Sequence, residues 1–383
     1  MDKVRVAFAG VGWMGQALLA RLAERNDVEL LGVYEPNVQQ GQAALGQLGL
    51  STKLLVDDFA ALSERPEIDA VWVVSPNSFH GPQSIQAMRA GKCVFCEKPC
   101  ATEFGDFREQ IALEKANPSL VTMVDYILYF DTMETLLRRM AAEGQFGKIT
   151  QVQVNYRHPI NIAGDKAWKL KRRIMGDAIG MGVVHALSAM VFIMASQARP
   201  VEVFATSLPA QVRAFEPEPI WNILLRFDDG ASGFCFGNID SGNGYDAAHS
   251  IFGTEGAFAF DSLADRPAKV RYWSKRSTEC QWVWPLDARR CAEAGLAHLA
   301  WPENATTPDS GDVMKHQTAA AVEHFINCVK TKSKSPLSFV NSAMIAEIGW
   351  GAQMSAATGQ PVPLPLDQGQ ARAFFAKQRR AGE

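Results

Sequence analysis

The strongest constraint on the fold lies in the first fifteen residues. Val4-Arg5-Val6-Ala7-Phe8-Ala9 is a short apolar run rich in β-formers and reads as a buried strand. Gly10-Val11-Gly12-Trp13-Met14-Gly15 follows at once, and Gln16 to Arg25 reads as a helix. Strand, G-x-G-x-x-G and helix in that order are the dinucleotide fingerprint in its required setting. Gly10 allows the tight turn, Gly12 the close approach of a pyrophosphate, and Gly15 the packing of helix on strand. Trp13 and Met14 lie in the glycine turn just before the helix start, where backbone N–H groups and the helix dipole favour phosphate.

Val28 to Tyr34 reads as the next strand and ends at Glu35, twenty residues after Gly15. That is the spacing of the acid that binds ribose hydroxyls. A carboxylate there repels a 2′-phosphate, so NAD is the expected coenzyme, with NADP left open.

Strands and helices then alternate. Asp69 to Ser75 is an apolar run of parallel-strand type, Gln83 to Ala90 a helix, and Cys93 to Glu97 the fifth strand. A helix from Thr102 to about Lys115 leads to a strand at Leu120 to Val124. The pattern is an α/β domain over residues 1–124, a doubly wound parallel sheet of Rossmann type. Ligands bind such sheets beyond the carboxyl ends of the strands. Three segments fall there: the glycine turn, Ser75-Pro76-Asn77-Ser78-Phe79-His80, and Glu97-Lys98-Pro99. Ser75, Pro76, Asn77, His80, Glu97 and Lys98 are therefore candidate coenzyme contacts.

The remainder, 125–383, has another rhythm. Met133 to Glu143 and Met181 to Met194 read as helices, and Ile149 to Arg157 as an alternating strand. Strands follow near 201–206, 220–227, 232–238, 249–253 and 257–261, separated by turn signals. Runs of neighbouring strands imply an α+β C-terminal domain with a large, mainly antiparallel sheet. One face carries helices; the other is a candidate subunit interface, giving a homodimer or homotetramer. Arg289 to Pro308 reads as loop, 313–329 and 341–358 as helices, and 361–366 as an extended arm.

A chain of 383 residues is long enough for two domains, since single cores stop growing around 250–300 residues. The net charge of −3, with no long basic run, argues against nucleic acid. No apolar run approaches the roughly 20 residues that span a bilayer. The N-terminus enters a strand directly, so a cytoplasmic protein without a signal peptide is expected. Seven cysteines at irregular spacing are no disulfide framework. Cys93 and Cys96 sit three apart on a strand and point to opposite faces, so no metal site is expected there.

With these segments in place the chain resembles the Gfo/Idh/MocA family, named after glucose–fructose oxidoreductase, inositol dehydrogenase and a rhizopine-catabolism protein. The resemblance rests on the glycine turn, Ser75 to His80, Glu97-Lys98-Pro99, Gly182-Val183-Val184-His185, and Ser355 to Val362. It implies an NAD(P)-dependent oxidoreductase that moves a hydride between nicotinamide and a secondary alcohol or ketone of a sugar, sugar derivative or inositol. It also implies a substrate held between the domains. Lys98 then steadies the alkoxide, being a compact cation with three donors. His185 takes the hydroxyl proton, because an imidazole titrates close to working pH.

The chain departs from the family at two places. Many polyol dehydrogenases of the family carry an Asp four residues before this His, where Met181 stands here. Asp177, eight residues before His185, is the nearest carboxylate in sequence. On an unbroken helix it lies ~12 Å away along the axis; Gly176, Gly180 and Gly182 are the places where a bend brings it closer. At Leu128-Tyr129-Phe130 the basic residues of many relatives are absent, leaving Tyr129 as a hydrogen-bond donor. Arg157, Trp168 and Lys169 are further candidates for the sugar pocket. Two other functions fit these residues: glycoside cleavage by transient oxidation with recycled NAD, and a non-catalytic coenzyme-binding regulator.

Overall fold

In the computed structural model, β1 (Val4–Ala9), β2 (Val28–Tyr34), β3 (Leu55–Val56), β4 (Ala70–Val73), β5 (Cys93–Cys96) and β6 (Thr122–Val124) form one sheet. The residues described are 3–242, 246–261, 269–276, 288–293 and 317–382, with positions 278, 280 and 297. The strand order is β3-β2-β1-β4-β5-β6, and every pair is parallel. All four residues of β4 are buried, as expected for a strand covered on both faces. The order reverses between β1 and β4, which opens the crevice at their carboxyl ends.

This sheet belongs to a unit made of Met1–Ile127, Arg173–Gly176 and Gln317–Ala343. The last segment differs from a boundary at 124/125. The helix Thr318–Thr331 lays Phe325 edge-on against Trp72 at 4.8 Å and against Phe95 at 5.7 Å. Lys330 pairs with Asp27 at 2.6 Å, and Leu337 O accepts from Val124 N at 2.8 Å. The apolar stripe of this helix is legible in sequence; the sheet that it covers is not, because periodicity carries no address.

The other unit comprises Leu128–Arg172, Asp177–His316 and Met344–Glu383. Its strands are β7 (Ile149–Val154), β8 (Tyr156–Arg157), β9 (Pro200–Leu208), β10 (Ile220–Phe227) and β11 (Ser232–Asn238). β12 (His249–Gly253), β13 (Gly256–Asp261), β14 (Lys269–Ser274) and β15 (Val362–Pro363) complete them. They form a nine-stranded sheet in the order β14-β13-β12-β7-β11-β10-β9-β15, with β8 also on β11. The sheet is antiparallel except where β7 and β8 meet β11. Val152, Val154, Ile223, Leu225, Cys235 and Ile251 are buried on one face, where the helix Val184–Met194 packs on β7 and β11. Leu224, Phe236 and Phe252 are exposed on the other.

Several details differ from the sequence reading. The strand expected over 149–157 breaks at Asn155, whose side chain donates to Asp246. A helix, Ala288–Glu293, begins the segment read as loop; most of that segment, and positions 313–316, lie outside the described residues. β3 is too short to show a period, and the basic end Lys377 to Arg380 lies on a helix, Gln368–Gly382. Among the described residues no helix is long and apolar enough to cross a membrane.

Candidate functional site

The glycine turn needs its glycines for separate steric reasons. Gly10 sits at φ +91°, in the left-handed region, and a Cβ there would lie 2.6 Å from Ser75 N. A Cβ on Gly15 would lie 2.1 Å from Gly10 O. A Cβ on Gly12 would meet nothing within 4 Å. That open space borders the start of the helix Trp13–Ala23, which no side chain caps. A helix start of this kind is built to receive an anion. Glu35, at the end of β2, is buried; its Oε2 accepts from Val11 N at 3.1 Å and its Oε1 from Asn37 N at 3.0 Å. The carboxylate that would meet ribose hydroxyls is thus fixed to the glycine turn itself. Turn, helix start and acid fit a dinucleotide.

Ser75 and Pro76 follow β4 at the same edge, half-exposed, with the Ser75 hydroxyl bonded to Gln83. Two residues expected at the coenzyme are placed otherwise. Asn77 is buried and its Nδ2 donates to Met175 O at 2.8 Å. His80 is buried to 1% exposure, with Nε2 2.6 Å from Ser75 O and Nδ1 2.7 Å from Pro99 O. Both side chains hold backbone together, and His80 joins the loop after β4 to the loop after β5. Only an imidazolium donates to two carbonyls, but burial opposes that form, with the Lys98 charge adding to it. The His80 pKa is pushed down to about 4. The ring is neutral at pH 7 and donates to one of them.

Glu97 and Lys98 leave β5 at this edge. The Glu97 side chain is buried and its Oε2 accepts from Lys98 N at 3.2 Å. Lys98 is half-buried. Along the carboxyl edge, then, Glu35, the glycine turn, Ser75 and Lys98 follow β2, β1, β4 and β5, four neighbouring strands. Cys93 and Cys96 on β5 are free thiols whose pKa values burial pushes up. Among the described residues no group of His, Cys, Asp and Glu is arranged to hold a metal ion.

In the second unit, a π-turn over Ile179–Val183 precedes the helix that carries His185. The π-turn departs from the regular helix expected from Met181, and glycines at 180 and 182 permit it. A Cβ on Gly182 would lie 2.6 Å from Tyr156 Cε1, so glycine lets that ring come close. The Tyr156 ring lies 5.5 Å from the His185 ring and stacks on His158 at 5.8 Å. Tyr156 reads in sequence only as an apolar-face residue of an alternating strand. The Asp177 carboxyl is tied into the turn. Its Oδ1 accepts from Gly180 N at 2.8 Å and its backbone oxygen from Met181 N at 3.1 Å, so it caps the turn. Burial raises its pKa.

The other expected substrate residues are also engaged. Arg157 pairs with Asp246 at 3.0 Å. Trp168 and Lys169 are half-buried on a 3₁₀ helix, Gly164–Leu170, with the ammonium 5.9 Å from the indole centroid. Tyr129 lies under the Arg138 guanidinium, 4.0 Å from the ring centroid, and Arg138 donates to Tyr129 O at 2.7 Å. Arg138 stands on the next helix, Thr132–Ala142. Lys98 belongs to the first unit and His185 to the second.

Residues 4–126 match the family described as "Oxidoreductase family, NAD-binding Rossmann fold", and residues 135–259 match the GFO/IDH/MocA C-terminal domain. Inositol 2-dehydrogenase of Salmonella typhimurium is 23% identical over 282 residues, 73% of this chain and 80% of that protein. 1,5-Anhydro-D-fructose reductase of Ensifer adhaerens is 25% identical over 273 residues, 70% of this chain and 79% of that protein. Levoglucosan dehydrogenase, solved in complex with NADH and levoglucosan, superposes with a TM-score of 0.75 at 21% identity. It covers 95% of this chain and 100% of its own, a likeness of fold.

Proposed function

The chain belongs to the GFO/IDH/MocA oxidoreductase family, and from that premise we propose that it is an NAD-dependent dehydrogenase or reductase of a sugar, sugar derivative or cyclic polyol. The N-terminal unit is the family's NAD-binding Rossmann domain. The observation that carries the proposal is Lys98: an ammonium on the carboxyl edge that also bears the glycine turn and Glu35. The relatives named inositol 2-dehydrogenase and 1,5-anhydro-D-fructose reductase support a polyhydroxylated substrate.

When bound, the nicotinamide supplies a hydride acceptor. Lys98 donates to the reacting oxygen and steadies the charge that develops on it. His185 removes the hydroxyl proton, so loss of hydride and proton leaves a ketone. The Tyr156 ring packs beside the His185 ring, 5.5 Å between centroids. Arg138, through Tyr129, places positive charge beside positions 128–130. The exposed apolar residues Leu224, Phe236 and Phe252 support a homo-oligomer formed through the second sheet.

The test is a panel of sugars and inositols incubated with the protein and NAD or NADP. A dehydrogenase accumulates reduced nicotinamide in proportion to ketone. Glycoside cleavage by transient oxidation instead releases sugar with no net reduced nicotinamide. Failure to turn over any member of a broad panel contradicts both.

A further inference from the structure

Asp125 follows β6 directly, and its backbone nitrogen donates to Cys96 O at 2.8 Å. β5 and β6 are parallel, with Val124 opposite Cys96. The next residue after each strand is therefore an acid, Glu97 beside Asp125. Both side chains are buried, Asp125 to 1% exposure. Neither Asp125 oxygen has an N–H or O–H donor from its surroundings. After burial, the group that acts most on the Asp125 carboxyl is the Glu97 carboxyl at the neighbouring strand end. Two ionised carboxylates so placed repel each other and leave buried acceptors facing acceptors. One proton converts the contact into a charge-assisted O–H···O⁻ bond.

A cation beside this pair is Lys98, whose charge acts on Asp125 and whose backbone N–H donates to Glu97 Oε2. The other titratable groups packed here are neutral at pH 7. Burial holds the Cys96 thiol and the Tyr126 phenol well above their ordinary values and pushes Cys100 up to about 12. The His80 imidazole is held neutral as well.

We propose that Asp125 and Glu97 share one proton and so present a single negative charge beside Lys98, making Asp125 a positioning residue for the Lys98 ammonium. Two negative charges would hold the ammonium down among the strand ends. None would let it lose its proton once a substrate excludes water. One keeps it charged and leaves N–H groups for a substrate oxygen. The meaning for turnover rests on the assignment of Lys98 as the cation of the reaction; the shared proton does not.

Asp125→Asn puts an amide N–H where the shared proton lies and keeps the single charge on Glu97. The native protein then carries one proton fewer above pH 6, whereas an unfolded Asp is ionised there in either case. From pH 6 to 8 the unfolding constant of the unsubstituted protein therefore rises about tenfold more per pH unit than that of Asp125→Asn. Equal slopes overturn the shared proton. Should Asp125→Asn not fold, the ¹³C-carboxyl signals of Asp125 and Glu97 in the unsubstituted protein decide. Shifts that together account for one proton at pH 8 support the proposal, and two ionised shifts overturn it. The positioning role is read from ¹³Cε-lysine NMR. Adding Glu97→Gln to Asp125→Asn removes the charge and lowers the Lys98 titration midpoint by about one pH unit or more. An unmoved midpoint overturns the role. Neither readout uses turnover, so a fully active Lys98→Ala would overturn the reaction assignment alone.

Discussion

Glu35 accepts the backbone N–H of Val11 at 3.1 Å, so the acid at the end of β2 and the glycine turn after β1 are one rigid piece. Under the proposed role, a carboxylate fixed there would meet ribose hydroxyls and repel a 2′-phosphate. Glu35→Ala is expected to weaken NAD binding by about tenfold, the weight of roughly 1.4 kcal/mol, and to raise NADP affinity relative to NAD. Fluorescence titration with both coenzymes checks this. An unchanged ratio contradicts the role of Glu35.

Gly12 and Gly15 separate binding from folding. Gly12→Ala places a methyl group in open space and is expected to unfold within about 0.5 kcal/mol of the parent. Its NAD affinity nevertheless falls, because the methyl occupies the pyrophosphate approach. Gly15→Ala drives a methyl into Gly10 O, and is expected to lose at least 1–3 kcal/mol, about the cost of an overpacked site. Thermal unfolding and NAD titration on the two variants test the contrast.

Asp131 gives the second unit a pH dependence. Burial, then the Glu134 charge, raises its pKa to about 6, although its carboxyl caps Met133 and Glu134. An acid raised in the fold adds stability below its unfolded value, near 3.9, and that stability is lost as pH rises through about 6. His249 lies beside it, bonded to Glu134 at 2.6 Å. Burial alone would lower the His249 pKa, but the Glu134 charge and hydrogen bond prevail and raise it. Its contribution is present below about 6.5 and lost above. Asp131→Asn keeps a capping acceptor. It is expected to flatten the stability slope between about pH 4 and 6 by up to one proton while leaving the slope above 6.5. Equilibrium unfolding across pH measures both windows.

Leu224 is exposed on the outer face of the second sheet, so Leu224→Asp costs the protomer little. Light scattering after size exclusion is expected to show a smaller assembly for this variant. An unchanged mass contradicts an interface at that face.

The local pattern carried most of the fold. β10, β11 and β12 begin and end where alternation and turn residues place them. Pairings across the chain were less legible. The Glu97–Asp125 contact depends on the register of β5 against β6, and the Tyr129–Arg138 contact on how the helix Thr132–Ala142 turns away from the 3₁₀ helix Ile127–Phe130. His80 reads as a loop residue near a ligand until its burial shows the ring wedged between two carbonyls, Ser75 O and Pro99 O. Asp177 reads as a spare acid because the π-turn that it caps has no simple period.

The central claim is that Lys98 steadies the oxygen from which hydride leaves. The most direct measurement is the single-turnover rate of reduced nicotinamide formation by Lys98→Ala loaded with NAD and a substrate that the parent turns over. The expected result is a fall of about 10²–10³-fold, the usual loss for one such donor, with NAD still bound. A parental rate would contradict the account.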